Sequence, residues 1–392
     1  MLEKAFSGTR GYRAWLIFLL VVIGAGFLCY LRQWDVGLSI TGLSRNISWG
    51  LYIANFTFFV GVAASAVMVV LPYYLHHTKE FGKITVLGEF LAVGAVIMSV
   101  LFIFADLGQP ARVLNVLLYP SPRSLLFWDM IVLNGYLLLN LLIGWASLDA
   151  EHKGEPVVGW VRPLVFVSIP WAVSIHTVTA FIYSGLGARP FWLTALLAPR
   201  FLASAFASGP ALLIMISLIL KKYSGFDAGK NAIQKVAQIA TYALAITIFF
   251  LLVELFTIFY SNIPEHKAHF EYLLFGLSGQ SSLVPWTWSS LVLAAIAFVL
   301  LINPVTRKRE PLLFVACLAA FVAIWIDKGL GLIVPGFVPS PLGEITTYVP
   351  TMPEILITAG IWGCGFLVIS FLYKVVIGVR HEKGTMEDRP AG

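Results

Sequence analysis

The stretch SIPWAVSIHTVTAFIYSG, residues 168–185, sets one imidazole inside an otherwise apolar run, with His176, Thr179 and Tyr183 at i, i+3 and i+7. At that spacing the three share one face of an α-helix and form a single polar stripe. Ala172 and Ala180 flank the histidine and leave room for something flat. An imidazole titrates near neutrality, so one held in an apolar setting is suited to taking up and returning protons. Carboxylates recur at comparable depth: Asp106, Asp129 on a face shared with Tyr136, and Glu254 on a face shared with Thr257 and Ser261. Glu89 is the exception, placed toward the opposite end of its segment. The bland alternative for His176 is a core histidine hydrogen-bonded between helices. For Asp106 and Arg112 a loop-fixing ion pair is the better reading.

These residues need elements that carry them into an apolar solvent. Hydrophobic residues make up 59% of the 392 residues and charged ones only 12%, half the share usual in soluble domains. A membrane-crossing helix takes about 20 mostly apolar residues. Ten segments qualify: 13–31, 49–75, 84–107, 125–148, 159–184, 200–222, 236–261, 284–303, 311–334 and 353–378. The chain therefore reads as an all-α integral membrane protein of ten transmembrane helices. The first segment is too long for the core of a signal peptide and lacks a small-residue cleavage site. Most Lys and Arg residues fall on the side of the N-terminus, including Lys4, Arg10, Lys79, Lys153, Lys221, Lys308, Arg380, Lys383 and Arg389. The positive-inside rule then places both termini in the cytoplasm, in the inner membrane of a bacterial-type cell. The net charge of +6 is accounted for by these membrane loops and signals no nucleic-acid partner.

Metal and haem chemistry fit poorly. Cys29, Cys317 and Cys364 form no paired motif. A bis-histidine haem needs two histidines deep in spans, whereas His76, His77, His152, His266, His269 and His381 are terminal or in loops. Glu265, His266, His269 and Glu271 in PEHKAHFEY have ligand chemistry, but a solvated loop or docking surface is the better reading. Proton chemistry without either group points to a lipid-soluble two-electron carrier. A quinone needs a flat apolar pocket, hydrogen-bond partners for its oxygens and proton-handling groups.

Several longer stretches resemble one family, the polysulfide-reductase/NrfD-type membrane subunits. They are WGLYIANFTFFVGVAASA (49–66), DLGQPARVLNVLLYPSPRSLLFWDMIVLNGYL (106–137), PWAVSIHTVTAF (170–181), PRFLASAFASGPALL (199–213) and ELFTIFYS (254–261). The ten-helix branch, which includes the membrane subunits of the Dsr, Hmc and Qrc complexes and of alternative complex III, fits best, with the Dsr-type subunits most alike. The resemblance implies one membrane domain over 1–392 with two four-helix bundles. Helices 2–5 (49–184) would hold the quinone site, helices 6–9 (200–334) form the second bundle, and 1–48 and 335–392 flank them.

The resemblance also implies menaquinone as the bound substrate, with no redox centre in the chain. An outer-face, ferredoxin-like iron–sulfur subunit would exchange the electrons, and it admits a multihaem cytochrome c and further membrane subunits as partners. Asp129 and His176 match the family's quinone positions, with Tyr52, Asn55, Asn134 and Tyr183 as pocket residues and Glu254 as a proton-path carboxylate in the second bundle. Where some relatives carry a histidine in the second helix, this chain has Ala63 and Ala64. The rival classes are a secondary transporter, whose sequence pointer is a pair of broken helices with midplane charge, and a purely structural anchor for an oxidoreductase.

Overall fold

The computed structural model describes Glu3, residues 8–74 and residues 81–382. Lys4, His76, His77, Lys79, Lys383 and Arg389 lie outside the described residues. Among the described residues, ten helical spans are long and apolar enough to cross a bilayer. They are built on α1 Arg10–Val36, α2 Leu51–Ala63 (its span runs on to Val70), α3 Gly82–Asp106, α4 Leu125–Lys153, α5 Val161–Ser184, α6 Leu197–Ser224, α7 Lys230–Ser261, α8 Val284–Ile302, α9 Glu310–Lys328 (its span runs on to Ile333) and α10 Met352–Glu382. After α2 the chain passes through a 3-10 turn, Ala64–Ala66, into a continuing helix, Val67–Tyr74. Several helices run further than hydropathy alone suggests. Thus α7 begins at Lys230, because a long cationic side chain near a helix end can reach the interface while its stem stays in apolar surroundings.

The helices pack in two closed circuits. Helices α2, α3, α4 and α5 touch in turn and α5 returns to α2; α6, α7, α8 and α9 do the same. The circuits meet where α6 lies against α2 and α5, while α1 packs on α10, and α10 on α3. Helix α2 sits at the centre, and every residue from Leu51 to Ala63 is buried. Helices α1 and α8 bury three residues each, and α7 beyond Thr247 buries only Glu254; all three turn broad apolar faces outward. That is the pattern of helices in contact with lipid. Small residues allow the closest approach: a Cβ added to Gly26 of α1 would stand 2.7 Å from the Leu356 carbonyl oxygen and 2.8 Å from Gly360 Cα. Pro170 inside α5 and Pro210 inside α6 are tolerated as they commonly are in membrane helices.

The segments joining helices at the Asp129 and His176 end interlock. Glu354 of α10 accepts from Gly42 N at 3.0 Å and Leu51 N at 3.3 Å, and also receives the Tyr348 hydroxyl. Burial first, and then the Glu354 charge, raise the Tyr348 phenol above its ordinary value, which keeps it a donor. Asn46 donates to Glu344 at 2.7 Å, and Trp192 donates to the Leu332 carbonyl at 2.9 Å. Trp49, Tyr183, Trp192 and Phe337 pack together here, Trp49 edge to face with Tyr183 and Phe337, Trp192 edge to face with Phe337, and the other two pairs tilted. They form a rigid apolar roof over the first circuit.

PEHKAHFEY is ordered rather than a solvated loop. Pro264 starts a short helix, Pro264–Leu274, in the position where its fixed φ suits a first turn. His269 is buried, with Nδ1 2.7 Å from the Pro335 carbonyl and 2.8 Å from that of Val338. Since carbonyls only accept, Nδ1 carries the proton. Burial holds His269 below the usual histidine value, against the pull of those two carbonyls.

Candidate functional site

On α5, Ser168, Ala172, His176, Thr179 and Tyr183 are all buried, a spacing that follows the helical period. His176 is 1% exposed. Its Nδ1 lies 3.2 Å from the Ala172 carbonyl, so the hydrogen sits on Nδ1 and a neutral ring presents Nε2 as an acceptor. Nε2 is buried and has no hydrogen-bond partner among the described residues. An imidazole acceptor of this kind inside a membrane helix circuit can receive a hydroxyl donor.

Asp129 enters from α4, 2% exposed, with Oδ1 2.8 Å from the Thr179 hydroxyl. The same hydroxyl lies 2.7 Å from the Ile175 carbonyl. One hydroxyl proton cannot serve two acceptors fully. When it goes to Ile175, Thr179 Oγ1 is left to accept from a protonated Asp129. Asp129 can therefore hold or release a proton without moving. Tyr183 is paired with Thr57 of α2 through a short hydroxyl contact. Thr57 donates to the Ile53 carbonyl at 2.8 Å, which leaves Tyr183 as donor in that pair and fixes its ring beneath the aromatic roof. His176, Asp129, Thr179 and Tyr183 thus come from the α4 and α5 faces that meet, with α2 behind them.

Three other candidates are placed differently. Tyr52 donates to Gln33 at 2.7 Å, and Gln33 to the Ala105 carbonyl at 2.6 Å, a strut across α1, α2 and α3. Asn55 Oδ1 accepts the indole N–H groups of Trp325 at 3.0 Å and Trp362 at 2.9 Å, while Nδ2 donates to Leu51 at 2.8 Å. Asn55 Oδ1 thus ties α2 to α9 and α10, while Nδ2 bonds back to its own helix. Asn134 is exposed and bonds its own helix at the Met130 carbonyl. It points away from the Asp129 face because five residues turn a helix by about 140°.

Glu254 belongs to a second polar group. Arg200 of α6 reaches Glu254 at 2.6 Å and Asp327 of α9 at 2.7 Å. Arg200 is thus a largely buried bridge between α6, α7 and α9. Thr257 and Ser261 are exposed and bond their own helix, so of the stripe expected on α7 only Glu254 turns inward. A small cavity of about 40 Å³ is lined by Arg200, Asp327, Thr287 and Ser290 among apolar side chains, room for water. Lys328, next to Asp327, turns the other way. It is 4% exposed, donates to the Phe201 carbonyl at 3.3 Å and lies over the Phe201 ring at 4.4 Å.

The vacant side-chain position of Gly61 leaves Lys328 its space: a Cβ there would stand 2.9 Å from Nζ. Arg200 thus bridges Glu254 and Asp327 within the second circuit, while Lys328 points to Phe201 and toward Gly61 of α2. Their pairing was hidden in the sequence, although the adjacency of Asp327 and Lys328 in an apolar span was its one signal. A wider open cleft of about 380 Å³, lined by Phe181, Ser184, Leu193, Thr194, Ala195, Leu197 and Ala198, lies beside the end of α5. Neither cavity is lined by His176 or Asp129. Among the described residues no three His, Cys, Asp or Glu side chains converge as a metal site, and His269 spends its Nδ1 on backbone carbonyls.

Ten crossings around an interior polar array define a polytopic integral membrane protein. Residues 39–338 match the family described as polysulphide reductase, NrfD, and the chain belongs to that family. It is 28% identical to a putative dimethyl sulfoxide reductase membrane subunit of Halobacterium salinarum, over 92% of this chain and 90% of that protein. An Hdr-like menaquinol oxidoreductase integral membrane subunit of Archaeoglobus fulgidus is 23% identical over 96% of this chain and 95% of its own length. The integral membrane subunit of a menaquinone reductase from Nitratidesulfovibrio vulgaris is 21% identical over 93% and 90% respectively.

Proposed function

We propose that this chain is the quinone-reactive membrane subunit of an electron-transfer complex, with menaquinone or menaquinol as substrate. The observation that carries the reading is His176, buried with a free acceptor nitrogen on the face where Asp129 and Thr179 share a mobile proton. In this reading His176 accepts the hydroxyl of the quinol, Asp129 holds or passes its proton, and Tyr183 positions the pocket from above. Menaquinone is favoured by the names of the Archaeoglobus and Nitratidesulfovibrio relatives. The open cleft at the ends of α5 and α6 has the volume of a small-molecule site and gives a way in from lipid.

Electrons leave to a redox subunit at the interlocked end, with an iron–sulfur protein as the partner implied by family resemblance, in a respiratory or sulfur-metabolism complex. Both termini lie in the cytoplasm in this arrangement, which a reporter fused at the C-terminus checks. The test of the site is titration of the purified full chain with a fluorescent quinol analogue. Wild type is expected to show saturable quenching, and His176→Ala a dissociation constant about ten- to hundredfold weaker, the loss of one buried hydrogen bond of about 1.5–3 kcal/mol. No saturable binding by wild type overturns the reading. The cavity beside Arg200 supports secondary transport as the rival, and solute counterflow into liposomes would establish that instead.

A further inference from the structure

At the end of the molecule opposite Asp129 and His176, α6 gives way to α7 and α8 to α9. The joining stretches are KKYSGFDAGKNAIQK (221–235) and PVTRKRE (304–310), and together they carry seven Lys or Arg residues against two carboxylates. Membrane topology accounts for the sign of that charge. It does not account for its convergence. Residues from α6, α7, α9 and both joints line one narrow cleft, whose charged groups are Lys221, Asp227, Lys230, Lys308 and Glu310.

These charges are unevenly matched. Both carboxylates turn to Lys221, Glu310 at 2.6 Å and Asp227 at 3.4 Å, so that ammonium finds its counter-charge within the protein. Lys230 and Lys308 are exposed, and neither side chain makes an ion pair or hydrogen bond among the described residues. The wall between them is fixed. Gln234 of α7 donates to the Arg307 carbonyl at 2.9 Å, and Arg307 Nη1 donates to the Leu301 carbonyl at 2.9 Å. These bonds pin the 304–309 joint to α7 and α8.

The cleft also has an apolar floor, formed by Leu218, Ile233 and Leu313. A free phosphate ion would lose hydration there without return, whereas an amphipathic anion gains by covering it. Depth favours the same class of ligand. The 32 residues of α7 measure about 48 Å, against roughly 40–45 Å for a bilayer with its head groups. Lys230, at the end of that helix, therefore stands at head-group level. Ile219 of α6 and Val299 and Ile302 of α8, a short way inward, are exposed and offer acyl chains an apolar surface.

We propose that this cleft seats the phosphate of an anionic phospholipid between Lys230 and Lys308. Basic pockets between helix ends suit such head groups. The bound phosphate joins the α6–α7 and α8–α9 connections, which otherwise present like charges to each other. The site is separate from the quinone reading and does not depend on it.

The experiment titrates the delipidated full chain in detergent with dioleoylphosphatidylglycerol and counts bound lipid by native mass spectrometry. Wild type is expected to retain one tightly bound lipid. Lys230→Gln and Lys308→Gln each weaken binding about fivefold, and the double variant about twenty-five-fold, the scale set by one basic residue at an anionic surface for each change. Lys308→Arg keeps the charge and the binding. Lys153→Gln, at the same end of the molecule but outside the cleft, leaves binding as it was. Melting temperatures in lipid-free detergent verify that each variant folds, and either single variant suffices if the other does not. Equal loss in Lys153→Gln overturns the proposal, because it reports surface charge at large rather than a site. So does equal binding by wild type and the double variant, or equal binding of zwitterionic phosphatidylcholine. Full displacement of the lipid by millimolar inorganic phosphate assigns the cleft to a soluble anion and overturns the lipid reading.

Discussion

Replacing Arg200 by Gln removes the one cation that touches both Glu254 and Asp327. In the native structure its two terminal nitrogens lie 2.6 Å from Glu254 Oε2 and 2.7 Å from Asp327 Oδ1, and side-chain exposure is 12% for Arg200 and 9% for Glu254. With the guanidinium gone, two carboxylates share a poorly solvated space with only Lys328 nearby. Breaking a buried pair by removing one partner costs about 3–5 kcal/mol. Glu254→Gln is milder, because the Arg200–Asp327 pair survives. It removes one charge-assisted hydrogen bond, about 1.5–3 kcal/mol. In the double variant one of the stranded carboxylates is also gone, so the combined loss falls short of the sum by about 0.5–3 kcal/mol, the usual coupling between contacting residues.

Thermal unfolding in detergent, followed with a thiol-reactive fluorophore, gives the readout. Cys317 on α9 is free and fully buried, so its labelling reports the opening of the helix that carries Asp327. The expected order of stability is wild type, Glu254→Gln, then Arg200→Gln. Equal loss in the two single variants, or a double variant at the sum of both, would refute the electrostatic account of this seam.

Asn55→Leu leaves the indole N–H groups of Trp325 and Trp362 without their acceptor. Each stranded donor costs about 1–3 kcal/mol, so the melting temperature should fall and the tryptophan emission should shift; an unchanged melt counts against the strut. The anchor at His269 should be pH-dependent. Its folded pKa lies below the unfolded value of about 6.5. The folded state therefore binds fewer protons, and the anchor's stability is complete above about pH 6.5 and is lost as pH falls through the folded pKa. Amide exchange in residues 264–274 should accelerate on acidification, and His269→Ala should abolish that dependence. Exchange independent of pH, after correction for intrinsic rates, rejects it.

The spans were legible because a hydrocarbon layer imposes a length and forbids unpaired backbone, so each helix must read as a long apolar run. The His176–Thr179–Tyr183 face was legible for the same local reason, since 3.6 residues per turn places them together whatever the neighbours are. Asn134 sits on another face of α4, because the helical period alone turns it away from Asp129. Glu89 stood out in the sequence only as a carboxylate at the wrong depth, and its place against Gly144 required α3 and α4 to be docked.

From the sequence alone followed the class of protein, the number of crossings and which residues lie on each helix face, all set by local geometry and by solvent. Tertiary structure decided who meets whom. Arg200, Glu254 and Asp327 come from three helices far apart in the chain. Asn55 became a strut, and Lys328 turned toward the Phe201 carbonyl while its neighbour Asp327 turned toward Arg200. Side-chain pairing across a seam depends on the rotation and depth of each helix against the next. Packing of the whole set determines those two quantities, and no single segment encodes them.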